Sequence, residues 1–416
     1  MSKILIIGGS FRNKGAEAMV LTCVRELRAR YPQAEIVVAS YVGTDDMPFG
    51  MQVVPESPGE TFVLIPTGRD PTRPLRVLAA RILPASLRSF ALRGDEYLRH
   101  FAGSSFVVDV SGFALSDQRS LLRQLVYAFE VLTADSLHVP FVALTRAFGP
   151  FRRRASRLLA QYCVQHMSML FVRGPESAKH LAGLRARFPE NVTRCSDIAY
   201  LFEPAEKRHA DALLPPREAT QPLVGIILNA NVYLRRSPHG EANPYVRTLA
   251  SVCDEVTERL QGHVVLLCHE SHPDRDKDDR EIAAMVRRVS ANQARVHIIQ
   301  PCHRAAVLKA VLRALDFVVA SRFHGLVASI SLSVPFLAAG GSHKYQELVD
   351  ETGLEGVVLD GRHLEPEELV EHFRSAWERR QQLRSSLGTV TRQLKASAEV
   401  PFVGLRERWP PSNRAA

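Results

Sequence analysis

Short apolar runs alternate with amphipathic segments along most of the chain, and this alternation predicts the secondary structure. The runs are four to eight residues long and rich in Val, Ile and Leu, as buried parallel strands are. After the first run, residues 16–30 place apolar side chains every three to four positions, which predicts an amphipathic helix. The predicted strands are residues 4–7, 35–40, 105–110, 140–145, 168–173, 223–229, 263–270, 296–300 and 316–321. Strands that alternate with helices in this way predict an α/β fold.

A polar, proline-containing stretch at residues 206–222 divides the predicted strands into two series. Each series is long enough for one doubly wound sheet, so the sequence predicts two Rossmann-like domains, residues 1–205 and residues 223–388. Residues 206–222 are the expected linker, and residues 389–416 are a C-terminal tail that either returns to the first domain or frays. Because doubly wound sheets bind ligands at the carboxyl ends of their strands, we expect the two domains to face a cleft.

Composition and charge narrow the classes of function. Of the 416 residues, 46% are hydrophobic and 23% are charged, as in globular domains, and the net charge is +9. A basic chain favours anionic partners, and the dispersed Arg and Lys residues, with few aromatic residues among them, favour a phosphorylated substrate over nucleic acid. The six cysteines form no Cys-x-x-Cys pair, the opening segment is too short for a signal peptide, and no apolar run reaches 18 residues. We therefore expect a cytoplasmic protein.

Residues 71–94 form a basic segment that is also apolar. Five arginines occur in it without any acidic residue, and leucine, isoleucine and valine alternate with them. One interpretation is a basic amphipathic helix or lid on the surface of the first domain. The other is a patch that contacts anionic lipid or a lipid-linked substrate, which would place the protein peripherally at the inner membrane face.

The turn after the first strand carries Arg12, Asn13 and Lys14, followed by Gly15 and Glu17. A glycine-containing turn that opens a helix presents backbone N–H groups to an anion, so we expect these five residues to bind the donor or the acceptor. The turn is not a P-loop, because Lys14 comes before Gly15. The chain also contains no Gly-x-Gly-x-x-Gly and no Gly-x-Ser-x-Gly, so dinucleotide-binding and esterase classes lack support.

The strongest chemical signal follows the predicted strand at residues 316–321. Arg322, Phe323, His324 and Gly325 come directly after it, where a helix begins. A helix N-terminus favours an anion, an arginine can grip phosphate or carboxylate with two N–H groups, and a histidine exchanges a proton near neutral pH. We predict that Arg322 and His324 are catalytic and that Phe323 and Gly325 bind substrate. The structural alternative is an Arg–Asp pair beside a helix-capping histidine.

Other strand ends supply further candidates for substrate binding. Arg173 ends the strand at residues 168–173 and can meet an anion. Asp109, Ser111 and Asp117 follow an earlier strand and would suit sugar hydroxyls, although solvated loop acids would give the same pattern. The sequence His-Glu-Ser-His that begins at His269 lacks the i, i+4 spacing of a zinc-binding helix. We therefore include His269 among the substrate-binding residues and predict no metal site.

Three motifs occur in a fixed order: Asn-x-Gly-x-Glu-Ala at residues 13–18, Val-Arg-x-x-x-Ser at residues 172–177 and Ser-Arg-x-His-Gly at residues 321–325. This combination resembles the polysaccharide pyruvyl transferase family over about residues 3–355. Lys344 falls in the family's last block and joins the substrate-binding candidates. The chain departs from many relatives at Ala16, where they have Asp, and at Phe323, where they have Leu.

The resemblance implies a glycosyltransferase-B-like fold and phosphoenolpyruvate as the donor. The product would be a pyruvate ketal across two hydroxyls of a sugar, a lipid-linked glycan or a polymeric glycan, and phosphoenolpyruvate would be a co-substrate with no further cofactor. The second domain would bind phosphoenolpyruvate and the first would bind the acceptor. Arg173 and Arg322 would neutralise the donor from opposite domains, and His324 would donate a proton or hold the phosphate.

Two other functions remain open at this point. A glycosyltransferase of the same fold would use a nucleotide sugar and need a carboxylate for the ribose, a role that Glu347 could fill. A non-catalytic sugar-binding or scaffold protein would leave Arg173, Arg322 and His324 without a function.

Overall fold

The computed structural model describes residues 2–40, 63–66, 72–84, 87, 91–184, 192–270, 272, 274–300, 303–340, 343–354, 357–361 and 363–411. The chain forms two compact units. The first consists of Met1–Phe11, Met19–Ile198 and Ser397–Ala416, and the second of Arg12–Ala18 and Ala199–Ala396.

The first unit contains a parallel sheet of seven strands in the order β3-β2-β1-β4-β5-β6-β7. The chain winds outward from β1 in both directions, so the order reverses between β1 and β4. The strands are β1 Lys3–Gly9, β2 Glu35–Ser40, β3 Val63–Pro66, β4 Phe106–Asp109, β5 Phe141–Arg146, β6 Met169–Arg173 and β7 Val192–Cys195. The helices between these strands along the chain are α1 Lys14–Arg30, α2 Arg73–Ile82, α3 Glu96–Ala102, α4 Leu121–Leu137, α5 Arg154–Gln165 and α6 Pro175–Ala182.

Helices cover both faces of this sheet, which explains why its central strands are apolar throughout. One face packs against α2, α3, α4 and α5 in a single hydrophobic cluster. On the other face, Phe106 of β4 lies between Tyr31 at the end of α1 and Trp409 near the C-terminus, with ring centroids 5.7 and 5.0 Å away. A strand buried on both sides has no polar face, so it appears in the sequence as a continuous apolar run.

The second unit contains a parallel sheet of six strands in the order β10-β9-β8-β11-β12-β13. Its order reverses between β8 and β11. The strands are β8 Leu223–Ile227, β9 His263–Leu267, β10 Val296–Ile299, β11 Phe317–Ala320, β12 Phe336–Gly340 and β13 Val358–Asp360. The helices are α7 Lys207–Asp211, α8 Ala230–Tyr233, α9 Pro244–Asp254, which continues as a π-helical turn at Glu255–Arg259, α10 Asp279–Val289, α11 Ala305–Arg313, α12 Phe323–Ser331, α13 His343–Thr352, α14 Pro366–Glu378 and α15 Arg380–Arg408.

The predicted fold class is confirmed, because both sheets are parallel and doubly wound. All nine predicted strands form, and the helix predicted at residues 16–30 is α1. The sequence did not predict β3, β7, β12 and β13. The strand β7 contains Thr193 and Arg194 and lies at a sheet edge, and β13 has only three residues, so neither gives a clear apolar run.

The predicted domain boundaries need correction at three places. The first unit ends at Ile198 rather than at residue 205, and residues 12–18 belong to the second unit. Residues 206–222 are not an isolated linker, since they include α7, which packs against α11. The C-terminal segment is helical, and from Ser397 onward it belongs to the first unit. No helix within the described ranges has the length and apolar composition needed to cross a bilayer.

A buried ion pair lies beneath the end of the first sheet. Arg146, at the end of β5, is fully buried and donates to the carboxylate of Asp109 and to the hydroxyl of Tyr127. Its Nη2 donates to Oγ of Ser111 at 2.8 Å. Burial acts to lower the pKa of Arg146, but the charge of Asp109 outweighs burial and raises that pKa above its usual value. In this structure the carboxylate of Asp109 is buried and binds Arg146, and its contact with a sugar stays a prediction.

We predict that Asp109→Ala lowers the free energy of unfolding by about 3–5 kcal/mol, because it leaves the Arg146 charge buried without its carboxylate. Asp117→Ala is the matched control. The carboxylate of Asp117 accepts from the backbone N–H groups of Arg152 and Arg153 just before α5, so we expect a loss of about 0.5–2 kcal/mol, as for a helix cap. Urea unfolding followed by circular dichroism measures both, and equal losses in the two variants would contradict the assignment.

Candidate active site

The turn that follows β1 is hydrogen-bonded to the segment that follows β9, within the second unit. The backbone N–H of Lys14 donates to the carbonyl of His269 at 3.1 Å, and Asn13 forms an isolated antiparallel bridge with Glu270. The side-chain oxygen of Asn13 also accepts from the backbone N–H of Gly15 at 3.0 Å, which caps the start of α1. The predicted anion-binding turn is thus fixed beside the end of β9.

Lys14 and Glu17 form a buried pair in the same turn. Nζ of Lys14 donates to Oε2 of Glu17 at 2.7 Å, and Lys14 is only 3% exposed. The other carboxylate oxygen of Glu17 accepts from the backbone N–H of Ala305 at 3.1 Å, at the first residue of α11. Both carboxylate oxygens of Glu17 therefore have hydrogen-bond partners, and Glu17 links Lys14 to the start of α11.

Arg322 lies between β11 and α12 and is surrounded by acceptors. Its Nη2 donates to Asp279 at 2.6 Å, its Nη1 to Glu270 at 2.7 Å and its Nε to the carbonyl of Leu228 at 2.8 Å. Burial acts to lower the pKa of Arg322, but the charges of Asp279 and Glu270 outweigh burial and raise it, so the side chain stays protonated. The sequence predicted an arginine that binds substrate, with an Arg–Asp pair as the alternative. The structure shows a guanidinium that binds two carboxylates, and its contact with substrate stays a prediction.

Asp279 connects the ends of three neighbouring strands. Its carboxylate accepts from the backbone N–H of Ala230 after β8 at 3.2 Å and from those of His269 and Glu270 after β9 at 3.0 Å each. Arg322, after β11, supplies the fourth contact. These strand ends lie where the order of the second sheet reverses, which is the usual ligand-binding position of a doubly wound sheet. Asp279 was not among the predicted residues, since nothing near it in the sequence marks it.

His324 lies in the first turn of α12 and packs directly on the turn after β1. A Cβ added to Gly15 would lie 2.3 Å from Cγ and Nδ1 of His324, so only a glycine allows this approach. Phe323 contacts the His324 ring edge-on, with centroids 5.7 Å apart. Gly325 faces the sheet, where an added Cβ would lie 2.5 Å from Ile227. Gly325 therefore permits close packing of α12 on β8, and its contact with substrate stays a prediction.

His269 is the most strongly perturbed histidine of the site. It is 5% exposed, and no described residue offers a hydrogen-bond partner to its Nε2. Burial, together with the positive charges of Arg322, His324 and Lys14, lowers its pKa to about 3. His269 is therefore neutral at physiological pH, with one ring nitrogen available to a ligand.

A small pocket in the second unit collects several of these groups. The cavity has a volume of about 30 Å³, enough for about two waters. Four of its lining residues carry a polar side chain, and one of these, Lys309, was missed by the sequence analysis. Lys309 is buried, and its Nζ donates to the carbonyl of Phe202. The lining residues are Lys14, Gly15, Ala18, Ala199, Phe202, His269, Ala305, Leu308, Lys309, Leu312, His324 and Ala328.

Three of the remaining candidates, Arg173, Ser111 and Asp117, belong to the first unit. Arg173 is buried there and donates to Asp197, two residues after β7. Asp117 holds the backbone before α5. Within the second unit, Arg12 is half-buried in the turn. Lys344 is in α13, but its side chain lies outside the described part of the chain, as does Arg88 of the basic segment.

The described ranges contain no group of three His, Cys, Asp or Glu side chains arranged as metal ligands. The His-Glu-Ser-His sequence instead supplies a buried imidazole, His269, and a carboxylate, Glu270, that binds Arg322. The site is therefore built from two histidines, two lysines and an arginine, together with the carboxylates that hold them.

The two doubly wound units give the chain a two-domain α/β fold of the glycosyltransferase-B-like class. Solved structures with this fold include a putative UDP-N-acetylglucosamine 2-epimerase from Listeria monocytogenes, which is 11% identical with a TM-score of 0.58 over 99% of this chain and 98% of that chain. Anabaena HepE in complex with UDP-glucose is 15% identical with a TM-score of 0.57 over 98% of each chain. A glycosyltransferase from Rickettsia africae is 10% identical with a TM-score of 0.54 over 99% of each chain.

At these identities the similarity shows the fold alone. The sequence itself is more specific, because residues 13–343 match the polysaccharide pyruvyl transferase family. The chain therefore belongs to the polysaccharide pyruvyl transferase family, and it is a transferase. The resemblance that the three motifs indicated is confirmed.

We predict that Gly15→Ala displaces His324, because the new Cβ would overlap its ring. Overpacking of this kind costs about 1–3 kcal/mol of stability, and transferase activity should fall further than stability does. Gly388→Ala in α15 is the matched control, since no heavy atom of the described residues lies within 4 Å of a Cβ added there. Thermal unfolding and the histidine signals in NMR spectra measure both effects. An unshifted His324 signal in Gly15→Ala would contradict the close packing.

The low pKa of His269 predicts a pH dependence of stability. Its pKa is about 3 in the folded chain against an ordinary value of 6.5, so between these values the unfolded chain binds one more proton. Stability is therefore fully present above pH 6.5 and falls as the pH falls, with a loss from His269 of about 3 kcal/mol between pH 6.5 and about pH 4.

His269→Gln should remove that part of the loss, whereas His209→Gln, at an exposed position in α7, should keep it. Urea unfolding at a series of pH values gives the slopes. Equal slopes for wild type and His269→Gln would show that His269 is not held neutral by its surroundings.

Proposed function

We propose that the protein transfers the pyruvyl group of phosphoenolpyruvate to two hydroxyls of a sugar or glycan, forming a pyruvate ketal and releasing phosphate. Family membership supports pyruvyl transfer as the class of reaction. The observation that carries the finer proposal is the cluster of Lys14, Lys309, His269 and His324 in the second unit, beside Arg322.

The charges around this cluster suit a small dianion. Phosphoenolpyruvate carries a phosphate and a carboxylate on three carbons, so it needs several cations close together. Lys14 and Lys309 are buried cations, and the N-terminus of α12 adds backbone N–H groups. Arg322 adds positive charge, but because it holds Glu270 and Asp279, we assign it mainly to positioning. His269 offers a neutral ring nitrogen to a phosphate or carboxylate oxygen. We include no metal ion and no cofactor in this scheme.

His324 is the proposed proton donor. In the first step, a protonated His324 gives its proton to the methylene carbon of phosphoenolpyruvate, while a sugar hydroxyl forms a C–O bond to C2 and returns its own proton to the imidazole. In the second step, the bond between C2 and the phosphate oxygen breaks and a second hydroxyl bonds to C2. That hydroxyl's proton leaves with the phosphate. The two hydroxyl protons are thus accounted for, one in the new methyl group and one on phosphate.

The acceptor is proposed to bind through the first unit. Arg173 lies at the carboxyl end of β6, next to β7, and Ser111 follows β4, where the order of that sheet reverses. Arg12 is a further candidate for anionic groups of donor or acceptor. Action of Arg173 and Arg322 on the same donor molecule, from different units, stays a prediction.

Nucleotide-sugar-dependent glycosyl transfer is the second candidate. One protein of similar fold was solved in complex with UDP-glucose. Against it, Glu347, the proposed ribose carboxylate, is 2% exposed in this structure. Thermal unfolding separates the two donors, since a bound ligand adds about 2.7 kcal/mol at a hundredfold excess over its Kd. We expect phosphoenolpyruvate, and not UDP-sugars, to raise the Tm.

The direct test incubates the protein with phosphoenolpyruvate and a panel of nucleotide-linked, lipid-linked and polymeric sugars. We expect phosphate release, together with an acceptor whose mass rises by that of pyruvic acid minus water. Transfer of a sugar from a nucleotide donor, with no reaction of phosphoenolpyruvate, would replace this proposal by the second candidate.

His324→Ala should lower kcat by about 10²–10⁴, the usual effect of removing a general acid or base. His324→Gln should keep donor affinity better than turnover, because glutamine donates a hydrogen bond but exchanges no proton. His209→Gln is the control and should retain wild-type kcat. Turnover in both His324 variants within about threefold of wild type would remove His324 from the mechanism.

A further inference from the structure

Exposed apolar side chains are concentrated on one part of the first unit. The described residues expose eleven large apolar side chains, and nine of them lie on α2, the residues just after it, α4 and α5. Ile82 is 83% exposed and Leu122 is 70% exposed, which leaves most of each side chain in water. The nine are Leu75, Leu78, Ile82, Leu87, Leu121, Leu122, Leu125, Val126 and Leu158. A concentration of this kind marks an interaction surface rather than scattered exposure.

On α2 the exposed side chains form a stripe. Leu75, Leu78 and Ile82 are spaced three and four residues apart, so they share one face of the helix. Val77 and Ala80 are buried on the face that packs against the unit. The helix α2 therefore has apolar side chains on two faces. Packing within the first unit accounts for those on the buried face but not for those on the outer face.

The three helices adjoin one another. Arg81 of α2 pairs with Asp135 of α4 at 2.9 Å, and Gln124 of α4 donates to Oγ of Ser156 in α5 at 3.1 Å. The helix α4 thus lies between α2 and α5. We call the exposed side chains of α2, α4 and α5 the arginine–leucine face.

Positive charge accompanies the apolar side chains on this face. The three helices contain six arginines against two carboxylates, Glu130 and Asp135, and one of the six, Arg73, is paired with Asp95 at 2.7 Å. Asp135 pairs with Arg81, and Glu130 is half-buried and accepts from the hydroxyl of Tyr97. Arg152 and Arg153, which are exposed just before α5, add to the same charge. The face is therefore basic as well as apolar.

We propose that the arginine–leucine face docks on the surface of an anionic lipid bilayer. Leucine and isoleucine side chains can enter the boundary between headgroups and acyl chains, while arginines keep their charge at the level of lipid phosphate. Each basic side chain near an anionic membrane contributes about 1 kcal/mol. The proposal does not rest on the pyruvyl transfer reaction, because no residue of the face belongs to the candidate active site. It favours acceptors that are carried on a lipid.

The experiment is flotation of the full chain with vesicles. Vesicles of phosphatidylcholine alone should bind little protein, and vesicles that also contain phosphatidylglycerol should bind it strongly. Binding should fall as salt rises, since the screening length shortens from about 10 Å at 0.1 M to about 3 Å at 1 M.

Two variants separate the apolar and charged contributions. Leu75→Ser/Ile82→Ser/Leu122→Ser should reduce the partition coefficient about tenfold or more, since each side chain loses its apolar contact with lipid. Arg123→Gln/Arg153→Gln/Arg157→Gln should reduce it about a hundredfold on anionic vesicles. All six positions are exposed, so we expect both variants to fold.

Matched controls change the same residue types elsewhere. Val400→Ser/Val403→Ser alters the other two exposed apolar side chains, in α15, and Arg384→Gln/Arg392→Gln removes exposed charges from the same helix. Both controls should bind vesicles like wild type. Equal binding to neutral and anionic vesicles, or equal binding by the face variants and the controls, would overturn the proposal. So would a self-association that the face variants abolish in a chain that binds no vesicles, because the face would then meet a second copy.

Discussion

One buried carboxylate, that of Asp279, fixes the part of the second unit on which the candidate site depends. It accepts hydrogen bonds from the backbone after β8 and after β9, and it pairs with Arg322 after β11. At the end of a parallel sheet, the backbone N–H groups of the loops that follow the strands need hydrogen-bond partners outside the sheet. Because Asp279 binds the segments that follow three neighbouring strands, the loops that carry His269, Glu270 and Arg322 are held by one carboxylate.

That carboxylate also sets the electrostatics of the site. Asp279 and Glu270 keep Arg322 charged although it is buried, and the charge of Arg322 in turn helps to keep His269 neutral. Two histidines in one pocket thus acquire different environments. His269 is buried and has positive charges around it, whereas His324 is half-buried at the start of α12.

The sequence predicts the strands and the location of the site better than the partners of each side chain. Apolar runs identify nine strands because strands buried on both faces must be apolar, and Arg322 and His324 are recognisable because they follow such a run. The partners of Arg322 and Asp109 are not recognisable, since Asp279 lies 43 residues from Arg322 and Arg146 lies 37 residues from Asp109. Lys309 was missed because a lysine in an apolar helix gives no local sign of being buried.

The division of the chain into units has a consequence for how the protein can be cut and recombined. The chain crosses from one unit to the other at four places, near residues 11, 18, 198 and 396, so neither unit is a continuous stretch of sequence. A piece ending at residue 205 would lack Trp409, which stacks on Phe106, and would keep Arg12–Ala18 without His269 and Ala305. Chimaeras with relatives that exchange one unit for another must therefore carry the N-terminal turn with the second unit and the end of α15 with the first. A single crossover in the middle of the gene exchanges neither unit intact.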